Sequence, residues 1–379
     1  MPRYSRIFMF SLKYTIFCIV IVGLLLLIGS ICKSRRSGTF TFFTLLAVIS
    51  AIRVNTGSDY FNYYINYETV TNYYNRLIDT ITSRYQFGII SMDYAVQKLF
   101  GNSNGIFIAI SVVVSVILWG IFRCYSQFPR ISASVWLLSG FYLISNNLLK
   151  QYIAMLFMMI GYFFMRRRHF VLFIFCTFLA SVFHLTALLV APMYFFSTHI
   201  PVTKRSLVLC CTFGGALLVI VYPIIRILVK VRLFSKYEQY LDSAATVGYR
   251  FIIASVIMGV FYFVIVLVYL RSIESLSEDA RQYIRMIMIG LILTIVSVRF
   301  FYLSRVAYYF LQFLPLLVAN AFNKQMNDTT IARTMRSWIL IWLTIYCFLF
   351  TAFSGENNYY NYSTIINDVP VSVQEFISR

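Results

Sequence analysis

Long apolar runs recur along the whole chain and leave little room for a water-soluble fold. A helix crosses a bilayer with about 20 consecutive apolar residues. Of the 379 residues, 60% are hydrophobic and only 12% are charged, and the mean hydropathy is +0.78. The sequence therefore predicts an all-α, polytopic integral membrane protein with about 10–12 transmembrane helices in one polytopic domain over residues 1–379.

The apolar runs also locate the spans. We expect spans at residues 7–31, 38–51, 106–122, 132–145, 148–165, 206–229, 251–270, 283–300, 306–322 and 338–353. The first run lacks a convincing cleavage site and is expected to be a retained anchor. Residues 170–196 are long for one span and short for two, and His184 and Pro192 interrupt them.

Basic clusters in the short loops decide how the 170–196 run is interpreted, because cytoplasmic loops are enriched in lysine and arginine. A tight pair of short or re-entrant helices places every cluster in the cytoplasm, whereas one span sends the last three outside. We favour the pair, with both termini outside. The clusters are Lys33/Arg35/Arg36, Arg123/Arg130, Arg166/Arg167/Arg168, Lys204/Arg205, Arg271/Arg281/Arg285 and Lys324/Arg333/Arg336.

This topology leaves two long loops on the outer face, residues 53–105 and residues 230–250. Within the first loop we expect a tyrosine-rich helix and then an amphipathic helix at residues 87–100 that lies on the membrane. Residues 354–379 are polar and aromatic, and we expect this C-terminal tail to fold over the outer mouth of the bundle.

The sequence RVNTGSDYFNYYINYE, which begins at Arg53, follows an apolar run directly. Gly57 suits a turn, and Asp59 suits the cap of a helix that carries Tyr60, Tyr63 and Tyr64. Backbone donors at such a helix start, with Arg53 beside them, form an anion site, and Asp59 suits a base or a ligand for sugar hydroxyls. The alternative is an interfacial arginine, a helix cap and an aromatic belt.

Further polar residues interrupt apolar sequence elsewhere. Asn146 and Lys150 are spaced i,i+4 and could share a helix face, and so could Asn147 and Gln151. A lysine and three amides between two apolar runs must face a cavity or the interface, unless they form a polar hairpin tip. His184 is an ionisable residue within apolar sequence, either a functional group or a satisfied core histidine. Arginines at predicted outer ends are candidate ligands for an anion, or else anchors: Arg250, Arg299 and Arg305.

Several chemistries lack their sequence signatures. No histidine, cysteine or carboxylate cluster has metal-ligand spacing, and no DxD cluster, HExxH, Gly-x-Ser-x-Gly or Gly-rich phosphate loop is present. We predict no metal and no cofactor, and a cytoplasmic nucleotide-sugar transferase is disfavoured.

Four ordered stretches carry a family resemblance: RVNTGSDYFNYY (Arg53–Tyr64), NNLLKQYIAM (Asn146–Met155), FLASVFHLTALLVAPMYF (Phe178–Phe195) and SRVAYYFLQFLPLL (Ser304–Leu317). With them the chain resembles the EpsG family of bacterial polysaccharide polymerases, related to the Wzy-type O-antigen and exopolysaccharide polymerases. Lys150-Gln151 stands where the family commonly has Arg-Gln, which keeps the charge but not the bidentate grip.

The resemblance implies a metal-independent glycosyltransferase at the outer face of the bacterial cytoplasmic membrane, which joins repeat units carried on polyprenyl diphosphate. We expect Arg53 and Arg305 to hold the departing diphosphate, with Lys150 or Arg299 assisting, and Asp59 or His184 to act as base or orient the hydroxyl. The expected sugar contacts come from aromatic, amide and basic side chains: Tyr60, Tyr63, Tyr64, Asn147, Gln151 and Arg250.

The expected partners are polyprenyl-diphosphate-linked oligosaccharides, membrane lipid, a chain-length regulator and a flippase, with no nucleic acid. Three alternatives remain open. A flippase needs charge at mid-depth of many spans, whereas the charges here concentrate at segment ends. A secondary transporter often shows two broken-helix repeats, and only one interruption is present. An acyltransferase lacks a strong catalytic histidine setting.

Overall fold

The computed structural model describes residues 3–31, 37–57, 59–65, 87–100, 104–228, 230, 249–322, 329–353 and 363–364. The helices are α1 (Arg3–Ile31), α2 (Ser37–Ala51), α3 (Phe87–Phe100), α4 (Gly105–Tyr125), α5 (Pro129–Leu138), α6 (Phe141–Asn147), α7 (Leu149–Arg166), α8 (Phe170–Phe183), α9 (Thr186–Ser197), α10 (Lys204–Leu228), α11 (Tyr249–Leu270), α12 (Glu278–Ser297), α13 (Tyr302–Leu311), α14 (Leu314–Ala319) and α15 (Thr330–Phe353). Two short strands, β1 (Arg53–Val54) and β2 (Ser363–Thr364), form the antiparallel pair.

The predicted all-α, polytopic membrane class is confirmed. Six helical segments among the described residues are long and apolar enough to cross a membrane, and shorter apolar helices accompany them. Large apolar side chains remain exposed along the outer faces of the bundle, for example Val116 on α4, Val171 on α8, Val219 on α10 and Ile345 on α15. Exposed apolar stripes of this length fit a lipid environment and not water.

The centre of the bundle consists of α7 and α12–α14, most of whose residues are buried. Helices α12 and α13 touch closely at Gly290, where an added Cβ would lie 2.6 Å from Leu311 Cδ2. Polar bonds inside this core tie the elements together, since Gln312 Nε2 donates to the Met155 carbonyl at 3.0 Å. Small residues and interhelical hydrogen bonds are the usual means of holding helices together in lipid.

Two of the predicted spans each consist of two helices, which the apolar pattern did not indicate. The span at 132–145 divides into α5 and α6 at Gly140, whose φ of +82° no α-helix contains. The span at 306–322 divides into α13 and α14 before Pro315, which has no N–H to bond the preceding turn. The first break sets the direction of the segment that ends at Asn146 and Asn147.

The predicted helix pair at 170–196 is confirmed as α8 and α9, which are separated by His184 and Leu185. Helix α8 runs antiparallel to α7. A Cβ on Gly161 would lie 3.0 Å from Cys176, and the rings of Phe157 and Phe183 are 6.0 Å apart. The turn at His184 therefore lies level with the middle of α7, and α8 runs back toward the end of the bundle at which α7 begins.

Described basic clusters from distant parts of the sequence meet at the other end of the bundle. Arg166 Nη1 pairs with Asp279 at 2.7 Å, and Arg285 Nε donates to the Ile200 carbonyl at 2.8 Å. The Arg336 guanidinium lies 4.2 Å from the Phe128 ring. Early and late clusters thus share one end, as the helix pair predicts, and the positive-inside rule leads us to expect this end in the cytoplasm.

Parts of the predicted loops lie outside the described residues: 66–86 of the first outer loop, 231–248 of the second, and the C-terminal tail apart from β2. The clusters at Lys33/Arg35/Arg36 and at Lys324 also lie there. The amphipathic helix predicted at 87–100 is present as α3 with these bounds.

Candidate active site

The chain that follows α2 forms a compact turn at the end of the bundle opposite the basic clusters. Strand β1 places Arg53 directly beyond α2, and β2 pairs with it in the register Arg53↔Thr364. Gly57 adopts φ +104°, a conformation that favours glycine, and residues 60–65 are helical. The predicted sequence of turn and tyrosine-rich helix is therefore confirmed.

Arg53 is a buried cation, with only 1% of its surface exposed. Its Nη1 donates to Asn146 Oδ1, and its guanidinium carbon lies 5.0 Å from the centre of the Phe107 ring. Its Nε has no hydrogen-bond partner within the described residues. No carboxylate in this part of the chain pairs with Arg53, so the charge is held by an amide and an aromatic face alone. A charge buried in this way favours an anionic ligand.

Asp59 connects the turn to two other helices. Its backbone N–H donates to Asn147 Oδ1 at 3.1 Å, which fixes the turn on the end of α6. Its Oδ2 lies 4.0 Å from Arg305 Nη2 on α13, and both side chains are about one-quarter exposed, at 26% and 28%. This long, partly solvated ion pair is weak, so Arg305 remains able to bind another anion.

Lys150 and Gln151 begin α7 beside the same turn. Gln151 Nε2 donates to the Arg305 carbonyl at 2.5 Å. The Lys150 backbone is hydrogen-bonded to the Tyr63 hydroxyl. Burial raises the pKa of Tyr63, Asp59 raises it further, and the Lys150 hydrogen bond and Arg305 oppose the shift. Tyr63 thus stands among the charges of the site and stays a neutral hydroxyl.

These contacts join most of the predicted polar residues into one group, which we call the Arg53 cluster: Arg53, Asp59, Tyr63, Asn146, Asn147, Lys150, Gln151 and Arg305. Three cations from three separate segments converge there with one carboxylate and three side-chain amides. Such a group suits a ligand that carries negative charge and also hydroxyls.

The comparison with protein families decides the identity. The EpsG family profile matches residues 38–364, which run from α2 to β2 and include the whole Arg53 cluster. The chain belongs to the EpsG family. No curated protein and no solved structure matches it. Membership makes the chain a membrane protein of the polysaccharide-polymerase type.

In this EpsG-family protein the tyrosines pack inside the fold. Tyr60 stacks on Phe107 with centroids 4.5 Å apart and planes at 7°, and the Tyr64 ring lies 6.2 Å from that of Tyr60. Tyr60, Tyr63 and Tyr64 are all buried. These rings fix the short helix against α4 in the structure, and their role in stacking on sugars stays a prediction.

His184 lies at the turn between α8 and α9. Its Nδ1 is 2.6 Å from Thr186 Oγ1, which is 3.2 Å from the Tyr309 hydroxyl on α13. Tyr309 is one helical turn beyond Arg305. His184 is therefore linked to the helix that carries Arg305, and its role as a base stays a prediction.

The remaining two arginines are less closely connected to the cluster. Arg299 is exposed beyond the end of α12, and Arg250 at the start of α11 directs its Nε to the Tyr249 hydroxyl at 3.4 Å. For both arginines the role of substrate ligand stays a prediction.

Sequence reasoning missed Asp93, which the fold places beside the cluster. Asp93 lies on α3 and is only 2% exposed. Burial raises its pKa to about 8, and Lys150 opposes that shift. The signal was available in the sequence, because Asp93 falls on the same helical stripe as the buried Ile89 and Val96. A lone acid on the apolar stripe of an amphipathic helix requires a polar neighbour in the fold.

The described residues contain no group of three or more histidine, cysteine or acidic side chains placed to hold a metal ion. Metal independence of the EpsG-family protein stays a prediction. The cations of the Arg53 cluster are the groups available there to neutralise an anion.

Proposed function

We propose that the protein is a polysaccharide polymerase that joins oligosaccharide repeat units carried on polyprenyl diphosphate, for O-antigen, capsule or exopolysaccharide. The convergence of Arg53, Lys150 and Arg305 at one end of the bundle carries this proposal. A polyprenyl diphosphate offers two phosphates for the cations, and its lipid chain matches the apolar faces of the helices. The attached sugars offer hydroxyls to Asn147 and Gln151.

The reaction transfers the growing chain from its lipid carrier to a second lipid-linked unit. The acceptor hydroxyl attacks the anomeric carbon of the donor sugar, and the bond from that carbon to the diphosphate oxygen breaks. The diphosphate leaves with the electron pair, so negative charge grows on its oxygens. Fixed donors at such an oxygen contribute on the order of 3–4 kcal/mol each, and Arg53 and Arg305 are assigned this role, with Lys150 or Arg299 assisting.

A base must take the proton of the acceptor hydroxyl. Asp59 is the partly exposed carboxylate of the cluster and is held by Asn147 through its backbone, which makes it our first candidate. His184 is the second candidate, because its chain through Thr186 and Tyr309 leads to the Arg305 helix. Neither role requires a metal ion.

The proposed location is the outer face of the bacterial cytoplasmic membrane. The Arg53 cluster lies at the end opposite the basic clusters, which we expect to face the cytoplasm. Lipid-linked units would then reach the site after a flippase has carried them across, and a chain-length regulator would act on the growing polymer.

The glycan profile of a deletion strain tests the function. A polymerase defect leaves single-repeat products and removes long polymer, whereas loss of all surface units indicates flipping. In the complemented strain we expect Arg53→Lys and Arg305→Lys each to remove most long polymer, because lysine keeps the charge but loses the planar fork.

Arg167→Lys is the matched control. Arg167 also lies over an aromatic ring, 5.5 Å from the centre of Tyr125, but at the basic end of the bundle. The strain that carries Arg167→Lys should produce long polymer at the wild-type level. Immunoblots must show equal protein, because an arginine at an interface also affects insertion. Full polymer from both Arg53→Ala and Arg305→Ala at normal expression would contradict the assignment of these residues.

A further inference from the structure

Arg53 keeps its positive charge inside the protein without a carboxylate partner among the described residues, where the ion pairs involve other arginines. Only 1% of its surface is exposed. Its Nη1 donates to Asn146 Oδ1, and its guanidinium carbon lies over the Phe107 ring, 5.0 Å from the centre. A buried cation has lost its hydration, so these two contacts must hold the charge in place.

The two contacts leave most N–H groups of the Arg53 guanidinium for a ligand. A guanidinium carries several N–H donors in a planar fork, and the bond to Asn146 uses one of them. The Nε has no hydrogen-bond partner within the described part of the chain. A ring face attracts a cation through its quadrupole, whereas a carboxylate would occupy the donors of the fork. Phe107 therefore stabilises the charge and leaves the donors available.

Phe107 is itself held firmly. It lies in the first turn of α4 and has no exposed surface. The Tyr60 ring stacks on it with the centroids 4.5 Å apart and the planes at 7°. A ring packed in this way keeps a fixed face for the cation. The placement of the Arg53 guanidinium thus depends on α4, a helix that supplies no member of the Arg53 cluster.

We propose that Phe107 is a positioning residue for Arg53, and that it keeps the unused N–H donors of the guanidinium available to the diphosphate of the lipid-linked substrate. Phe107 acts through Arg53, and no covalent bond changes. Without the attraction of the ring, one side-chain hydrogen bond to Asn146 leaves the guanidinium in several orientations. Only the correctly placed fraction then binds the ligand, so the apparent affinity falls. The inference rests on the proposed function, because it requires a diphosphate at Arg53.

Stepwise fluorination of the Phe107 ring separates this role from packing. Fluorine withdraws electron density from the ring face and weakens its attraction for a cation, while the ring keeps nearly the same shape. Stacking on Tyr60 is not weakened, because an electron-poor ring stacks well on an electron-rich one. A fall in ligand affinity along the series therefore reports the contact with Arg53.

The experiment measures the affinity of the purified full chain in detergent for farnesyl diphosphate, a short polyprenyl diphosphate. Mono-, di- and trifluorinated phenylalanine replace the native side chain at position 107. We expect the affinity to fall at each step, by about tenfold in total for the trifluorinated ring. An unchanged affinity would overturn the role of Phe107. A rising affinity would also overturn it, because the ring would then compete with the ligand for the charge.

Phe128 is the matched control, at the basic end of the bundle. Its ring lies 4.2 Å from the guanidinium carbon of Arg336, which is also buried. The same fluorinated series at position 128 should lower the melting temperature and leave the affinity at the wild-type level. Equal falls in affinity at both positions would refute a specific role of Phe107.

Phe107→Leu is a coarser form of the same test, since leucine removes the ring altogether. If this variant folds, it should bind the probe at least as weakly as the trifluorinated protein, and wild-type affinity would contradict the inference. If it does not fold, the fluorinated series still decides, because those side chains keep the size and shape of phenylalanine.

The proposed function fails in a different way. If the wild type does not bind the probe, or if Arg53→Ala and Arg305→Ala both bind it as the wild type does, the diphosphate site is wrong and the inference fails with it. If binding depends on these arginines but does not change with fluorination at position 107, only the role of Phe107 is wrong.

Discussion

At the scale of single residues, the three cations of the site differ in how they are held. Arg53 is buried against Asn146 and Phe107, which fix the orientation of its guanidinium, whereas Arg305 is partly exposed and makes only a long ion pair with Asp59. Lys150 is a compact point charge at the start of α7. We expect Lys150→Arg to retain most long polymer, because the family commonly has arginine there, and Lys150→Ala to lose most of it. Polymer length on gels, normalised to protein, measures both.

The matched comparison for Lys150 is the reverse exchange at Arg305. A lysine at position 305 keeps the charge but loses the fork, and should fail where arginine at position 150 succeeds. If both exchanges leave polymer unchanged, the cations act through net charge only and no guanidinium geometry is needed.

At the scale of elements, Gly140 lies at the break between α5 and α6, and this break directs α6 toward the turn that carries Asp59. Its φ is +82°, and an added Cβ would lie 3.0 Å from the Phe350 ring on α15. We expect Gly140→Ala to destabilise the protein by about 1–2 kcal/mol from the backbone alone, and by more from the contact. A lower melting temperature in detergent and reduced polymer would follow together.

Gly120 in α4 is the control for that substitution. An added Cβ there meets nothing within 4 Å, and the residue is inside a helix. Gly120→Ala should leave the melting temperature unchanged or raise it slightly, because alanine loses less entropy than glycine on forming a helix. Equal losses at both positions would refute the special role of Gly140.

At the scale of the whole molecule, the helix pair α8–α9 determines which end of each later helix lies on the same side of the membrane as Arg53. Helix α10 begins at Lys204 among the basic clusters and ends at Leu228, and its 25 residues suffice to cross a bilayer. In a cysteine-free background, Lys230→Cys should react with an impermeant thiol reagent in intact spheroplasts. The native, exposed Cys124, restored alone, should react only after permeabilisation.

If Lys230→Cys and Cys124 both react in intact spheroplasts, the two positions lie on the same side of the membrane. That result would contradict the topology derived from the helix pair. Reaction of Cys124 alone would reverse the orientation and place the Arg53 cluster in the cytoplasm, where a lipid-linked polymerase of the proposed kind would not meet its flipped substrate.

The class of the fold, most helix positions and the grouping of the basic loops could be predicted from the amino-acid sequence. A chain that crosses a lipid bilayer needs long apolar helices, and these are visible in the sequence as long apolar runs. The turn at Gly57 and the helix after it were also predictable, because the conformational preferences that form them are local. The Arg53 motif, Lys150 and Arg305 were predicted as site residues from their types and from the family resemblance.

Which of these residues contact one another could not be predicted from the sequence and is seen in the packed fold. The breaks at Gly140 and before Pro315 were hidden inside apolar runs, because hydropathy does not register a change of backbone direction. The burial of Asp93 beside Lys150 and the pairing of Arg53 with Thr364 join segments far apart in sequence. Such contacts depend on how whole helices pack, and in lipid that packing follows shape and hydrogen bonds more than hydrophobicity.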